Sequence, residues 1–188
     1  MGYQAAINKA WEDLEKLNPP ENIQVRFLAD TYSADAGSRK LFSASCNVAV
    51  NDFFSILILH YLAAKFRGLP GLTGEWLDFK ELSGVEGYEP AFRKRSIDPL
   101  IRKYGKNSDA ILDCLKRFPG KKAKAGDVGL VIEVFEGVPV LITLWRADEE
   151  FAPEANLLFD RSVSKIFCTE DIVVLCECCV ARLCGRAF

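Results

Sequence analysis

The 188-residue chain has a single histidine, His60. A Ser–His or Cys–His nucleophilic arrangement must therefore use that residue, because the attacking group needs an adjacent imidazole. There is no GxxxxGK[ST] loop and no GxGxxG turn, so nucleotide binding has no local support. No internal repeat or low-complexity tract is present. The longest apolar run, Phe53 to Ala64, is broken by Ser55 and His60 and falls short of the ~20 residues that span a bilayer. Met1-Gly2-Tyr3-Gln4-Ala5-Ala6 lacks a basic segment leading into an apolar one, so no secretory signal is expected. Ala6 stands where a myristoylation motif carries Ser or Thr, and the Cys-Gly-Arg-Ala-Phe end is one residue too long for prenylation. Seven cysteines, an odd number without secretory context, are expected as reduced thiols. These absences point to a cytoplasmic protein with no membrane segment.

What the chain does contain is enough apolar material for a packed core. Apolar residues make up 49% and charged residues 27%, with thirteen Phe and three Trp. A chain of this length buries roughly 70% of its unfolded surface, so it needs neither disulfide nor metal for stability. One domain over residues 1–188 is expected. Residues 1–20 form its first unit: Ile7, Ala10, Trp11, Leu14 and Leu17 share one helical face, and Pro19-Pro20 stops the helix.

Ile23 to Phe27 alternates as a strand, and Arg39 to Phe42 and Cys46 to Val50 are weaker strands. Asp52 caps a helix to about Phe66 that is apolar nearly all round, hence central and buried. Trp76 to Phe79 reads as a strand, and Glu89 to Tyr104 and Ser108 to Phe118 as helices, the first broken at Pro99. Residues 119–126 read as a solvated basic loop. Val128 to Phe135 and Val138 to Trp145 flank Glu136-Gly137 as a hairpin, whose second strand is apolar on both faces and so central. Ala155 to Phe159 adds a strand, and Thr169 caps a closing helix with Glu170 and Asp171 in its positive first turn. The fold class is α+β: an antiparallel sheet with a central hairpin, a buried central helix and a C-terminal helix.

Net charge is −2, unevenly spread. Residues 93–124 carry 11 basic and 3 acidic groups between two acidic stretches. Such an island binds an anion or acidic partner, with Lys121, Lys122, Lys124, Arg93 and Arg95 as candidates, or is neutralised by the protein's own acids. No aromatics are interleaved with Lys121-Lys122-Ala123-Lys124, which argues against nucleic acid.

Several segments carry a resemblance: Leu59-His60-Tyr61-Leu62, Gly74 to Leu82, Tyr88 with Phe92, and Gly126-Asp127. Trp145 to Phe151, Leu157 to Asp160 and Glu170-Asp171 follow in the same order. The chain resembles the domain-of-unknown-function family three-seven-eight-six over about Leu17 to Leu183. Members of that family are typical of strict anaerobes, and some carry an amino-terminal module similar to that of the corrinoid iron–sulfur protein. The resemblance implies an accessory role near anaerobic corrinoid or metal chemistry, with a corrinoid or iron–sulfur partner. It supplies no catalytic residues, and the four-cysteine module is missing here.

Three groups of residues carry chemistry. Asp148, Glu149, Glu150 and Asp160 lie just past apolar strands; carboxylates brought close have separated pKa values that serve acid–base work or a hard cation. The alternative is a polar connection capping nearby backbone. His60 shares a stripe with Phe53, Ile56, Leu57, Ala63 and Ala64, so it faces the core or a cleft. There it is a proton-transfer group, a ligand to a corrinoid or metal, or a buried hydrogen-bonded histidine.

Cys176, Cys178, Cys179 and Cys184 fall on one helix, where Cys176 and Cys184 are about 12 Å apart, too far for one ion. Cys176 and Cys179 sit late in that helix, where the dipole disfavours a thiolate, whereas Cys168 precedes it. Packing as small hydrophobes is expected, with no metal and no cofactor. The expected function is an accessory or binding domain for a protein partner or small anionic ligand. A small enzyme using the carboxylates and His60, or a metal-handling protein using Cys168 with Cys176 and Cys179, are the alternatives.

Overall fold

Helix α1 (Gln4–Glu15) buries Ala10, Trp11 and Leu14 along the expected stripe. The computed structural model describes residues 3–186; Met1, Gly2, Ala187 and Phe188, on which the readings of the chain ends partly rest, lie outside them. Strands β1 (Asn22–Phe27), β2 (Asp30–Asp35) and β3 (Lys40–Ser43) form an antiparallel sheet of their own. The sequence gives no sign of the β1–β2 hairpin, because its two-residue turn is Leu28-Ala29 rather than a glycine-bearing pair. Leu28 takes φ +54°, a conformation costing about 1–2 kcal/mol for an L-residue with a Cβ. Tertiary structure holds it there: the side chain is fully buried, and its N–H donates to the Val134 carbonyl at 2.7 Å. Cys46 to Val50, expected as a strand, contributes only one bridge, Phe42 to Ala49.

Helix α2 (Asp52–Arg67) is the central buried helix, and its cap is Asn51, whose side-chain Oδ1 accepts from the Phe54 N–H at 3.0 Å. Asp52 is thus the first helical residue rather than the cap. After β4 (Trp76–Asp78) come α3 (Glu89–Phe92), a π turn over Arg93–Ile97, and α4 (Asp98–Tyr104). The expected break at Pro99 does not occur. The proline lies in the first turn of α4, and the wider π turn precedes it. Ser108–Lys116 is 3-10 helix.

The expected loop at 119–126 contains strand β5 (Gly120–Ala123), paired with β6 (Val128–Phe135). A Cβ on Gly120 would lie 2.3 Å from the Val131 carbonyl oxygen, so only glycine permits this pairing. Lysines on an exposed edge are a common guard against unwanted strand pairing, and they hide the strand from propensity-based reading. β6, β7 (Val138–Trp145), β8 (Glu154–Asp160) and α5 (Thr169–Leu183) complete the chain. The five-stranded antiparallel sheet has the order β4-β8-β7-β6-β5, with β7 in the centre as its two-sided apolar pattern requires. Leu130, Ile132, Val140, Ile142, Leu157 and Phe159 project into a core shared with α1, α2, α5 and the smaller sheet. Among the described residues, no helix is long and apolar enough to cross a membrane.

Candidate functional site

The core packing of α2 against α5 brings His60 to Asp171, 111 positions later in the chain. His60 Nδ1 and Asp171 Oδ2 are 2.8 Å apart, the carboxylate buried at 8% side-chain exposure and the imidazole open at 39%. The same Oδ2 accepts from Cys168 Sγ at 3.2 Å and from the Cys168 backbone N–H at 3.3 Å. Two atoms held 2.8 and 3.2 Å from one oxygen put the thiol and the imidazole within about 6 Å of each other. Cys168, not Thr169, occupies the N-cap position; the Thr169 hydroxyl donates instead to the Ser83 carbonyl at 2.9 Å. The Tyr88 hydroxyl donates to Glu170. His60, Asp171, Cys168, Tyr88 and Glu170 line an open groove of about 440 Å³ whose other wall is apolar, including Phe53, Ile56 and Val174.

The electrostatics follow from Asp171. Its hydrogen bond raises the His60 pKa above the ordinary imidazole value, and partial burial opposes this less strongly. Desolvation lifts the Cys168 thiol to about 11, the adjacent Asp171 and Glu170 carboxylates adding to it, so the group is a neutral thiol near pH 7. Asp171 engages Nδ1, and among the described residues no hydrogen bond to His60 Nε2 is found. No group of three or more His, Cys, Asp or Glu side chains is arranged to hold a metal ion, again among the described residues.

The acidic group is not gathered into one place. Asp148 lies in the loop between β7 and β8 and Asp160 ends β8, so the six residue steps from Glu154 to Asp160 hold the two roughly 20 Å apart. Asp148 shapes its own loop, accepting from the Glu150 and Phe151 N–H groups at 2.9 and 2.7 Å. Glu149 and Glu150 are exposed. Asp160 is 3% exposed and accepts from the N–H groups of Thr73, Gly74 and Ser162 and from the Thr73 hydroxyl. Burial alone would raise its pKa; those hydrogen bonds outweigh it and hold the carboxyl well below the usual range.

The helix cysteines are core. Cys176, Cys178 and Cys179 are at most 1% exposed, and burial raises all three thiols, Cys179 to about 12. Arg95 lines the groove and meets Glu177 at 3.3 Å, while Arg93 lies 3.4 Å from Asp98 and 4.0 Å from Glu154. Part of the basic island is thus neutralised by the carboxy-terminal acids. Lys121, Lys122 and Lys124 remain exposed on and beside the edge strand.

In the sequence Asp171 stands out as a dipole-favourable acid, and it and Tyr88 as parts of the resemblance. Nothing local signals that they meet His60. The exposed Cys46 was also missed: hydrogen bonding from Ser43, then from the Val48 backbone, lowers its pKa.

Fold and site together define an α+β protein with a carboxylate-braced histidine beside a thiol in a half-apolar groove. The model of the family described as Domain of unknown function (DUF3786) matches residues 14–182, and the chain belongs to that family. No curated protein and no solved structure matches the chain.

Proposed function

We propose that the chain is a binding domain that offers His60 Nε2 to a metal centre carried by a partner, the corrinoid cobalt implied by the resemblance being that centre. The observation that carries this reading is the pairing of the only histidine with the buried Asp171 beside an open groove. A carboxylate on one ring nitrogen fixes the tautomer and makes the other nitrogen a better ligand. His60 would supply a single metal bond rather than hold a resident ion, since no three-ligand group accompanies it among the described residues. A corrinoid supplies redox and alkyl-transfer chemistry when bound. This chain's residues contribute an oriented imidazole, an apolar wall and a neutral thiol.

A small acid–base enzyme is the second reading, favoured by the convergence of the His60 ring and the Cys168 thiol on one Asp171 oxygen. Titrating aquocobinamide with the protein separates the two. The first reading expects a visible-band shift that strengthens as pH rises through the raised His60 pKa, survives Cys168→Ala and disappears in His60→Gln. A wild-type protein that leaves the spectrum unchanged eliminates the corrinoid reading.

A further inference from the structure

The five-stranded sheet has a second face with one apolar row across its middle, flanked on the same face by the buried Thr143 and Asp160. Directly paired residues of antiparallel strands point to the same side. The register therefore places Asp78, Leu158, Leu141, Val131 and Lys121 in one row across all five strands. Leu158, Leu141 and Val131 lie outside the core cluster, which takes its side chains from the opposite face. Val131 and Leu158 are half-buried, and Leu141 at the centre is 7% exposed. Trp145, on the same face one row along from Thr143, is 41% exposed. An antiparallel sheet open to water normally alternates to polar side chains on its outer face. This one runs acid, apolar, apolar, apolar, base.

We propose that this face is the interface of a two-fold symmetric dimer. The occupant follows from the order of the strands and the signs of the charges. With β7 in the middle of five, a two-fold axis parallel to the strands through Leu141 lays β4 over β5 and β8 over β6 of the second copy. The row is then its own complement: Leu141 meets the partner's Leu141, Leu158 meets the partner's Val131, and Asp78 meets the partner's Lys121. Five strands about 4.8 Å apart, from three residues long at the β4 edge to eight in β6 and β7, cover at most roughly 500 Å² per copy. That is at the low end for specific interfaces, so the dimer is weak and concentration-dependent. The surface is separate from the groove of His60, and the inference stands without the corrinoid reading.

Sedimentation velocity over about 10 to 300 µM tests it in the range of weak association. Wild-type protein is expected to shift from monomer towards dimer, less so at high salt. Leu158→Lys is expected to stay monomeric, and Lys121→Glu to weaken association at least about tenfold, because the two-fold axis turns both Asp78–Lys121 pairs into acid–acid contacts. An equimolar mixture of Lys121→Glu and Asp78→Lys is expected to recover dimer, because each acid again faces a base; misfolding of either variant cannot produce that recovery. Wild-type protein monomeric throughout, or Lys121→Glu associating like wild type, overturns the proposal. So does a folded mixture that fails to recover.

Discussion

Replacing Asp160 with Asn exchanges a single heavy atom and tests whether this carboxylate is a brace. The carboxylate accepts the Thr73 N–H at 3.1 Å, the Thr73 hydroxyl at 3.1 Å, the Gly74 N–H at 2.7 Å and the Ser162 N–H at 2.9 Å. An amide keeps one acceptor oxygen and turns an NH₂ towards backbone donors that also need an acceptor. Hydrogen bonds to a charged group contribute about 1.5–3 kcal/mol each, and a buried orphan donor costs a similar amount. Losing one bond and orphaning its donor gives about 3–4 kcal/mol, which at this chain length lowers Tm by about 10 °C. The pH dependence has a definite sign. A carboxyl whose folded pKa is depressed contributes stability above its unfolded pKa of about 3.9, and loses it as pH falls towards the folded value. Calorimetry from neutral pH down to about pH 3 should show a constant wild-type advantage that begins to shrink only below about pH 4, because it is lost in full only near the depressed folded pKa. A Tm difference under about 3 °C at neutral pH would refute the bracing argument.

Three further outcomes are expected. By NMR, His60 should titrate above about 6.5, and Asp171→Asn should bring it back down; an unchanged value in that variant would mean Asp171 is not the cause. Thiol alkylation near pH 8 should mark Cys46 first, leave Cys168 slow until pH approaches 11, and spare Cys176, Cys178 and Cys179; peptide mapping with Cys168 ahead of Cys46 contradicts this ranking. Changing Lys121, Lys122 and Lys124 together to Gln should leave the fold intact, with Tm within about 2 °C as for ordinary surface changes, while weakening salt-sensitive association. A triple variant that fails to fold shows those lysines to be packed.

The sequence by itself determined the elements whose signals are local. The α1 stripe, the all-round apolar α2 and the β6–β7 hairpin depend on residues within one or two turns of each other, and all three stand where periodicity and Glu136-Gly137 put them. The burial of Cys176 and Cys179 was legible for the same reason, since both fall on the apolar stripe of one helix. Tertiary structure decided the rest. Only packing forces Leu28 into a left-handed turn and so creates β2, and only sheet pairing turns a lysine-rich segment into β5. The site itself is of this kind. Asp148 and Asp160 look like neighbours in sequence but stand at opposite ends of a rigid strand. His60 and Asp171 are far apart in sequence and meet because two apolar helices bury their stripes against one core. Periodicity encodes which face of a helix is buried; it carries no information about which distant helix lies against that face.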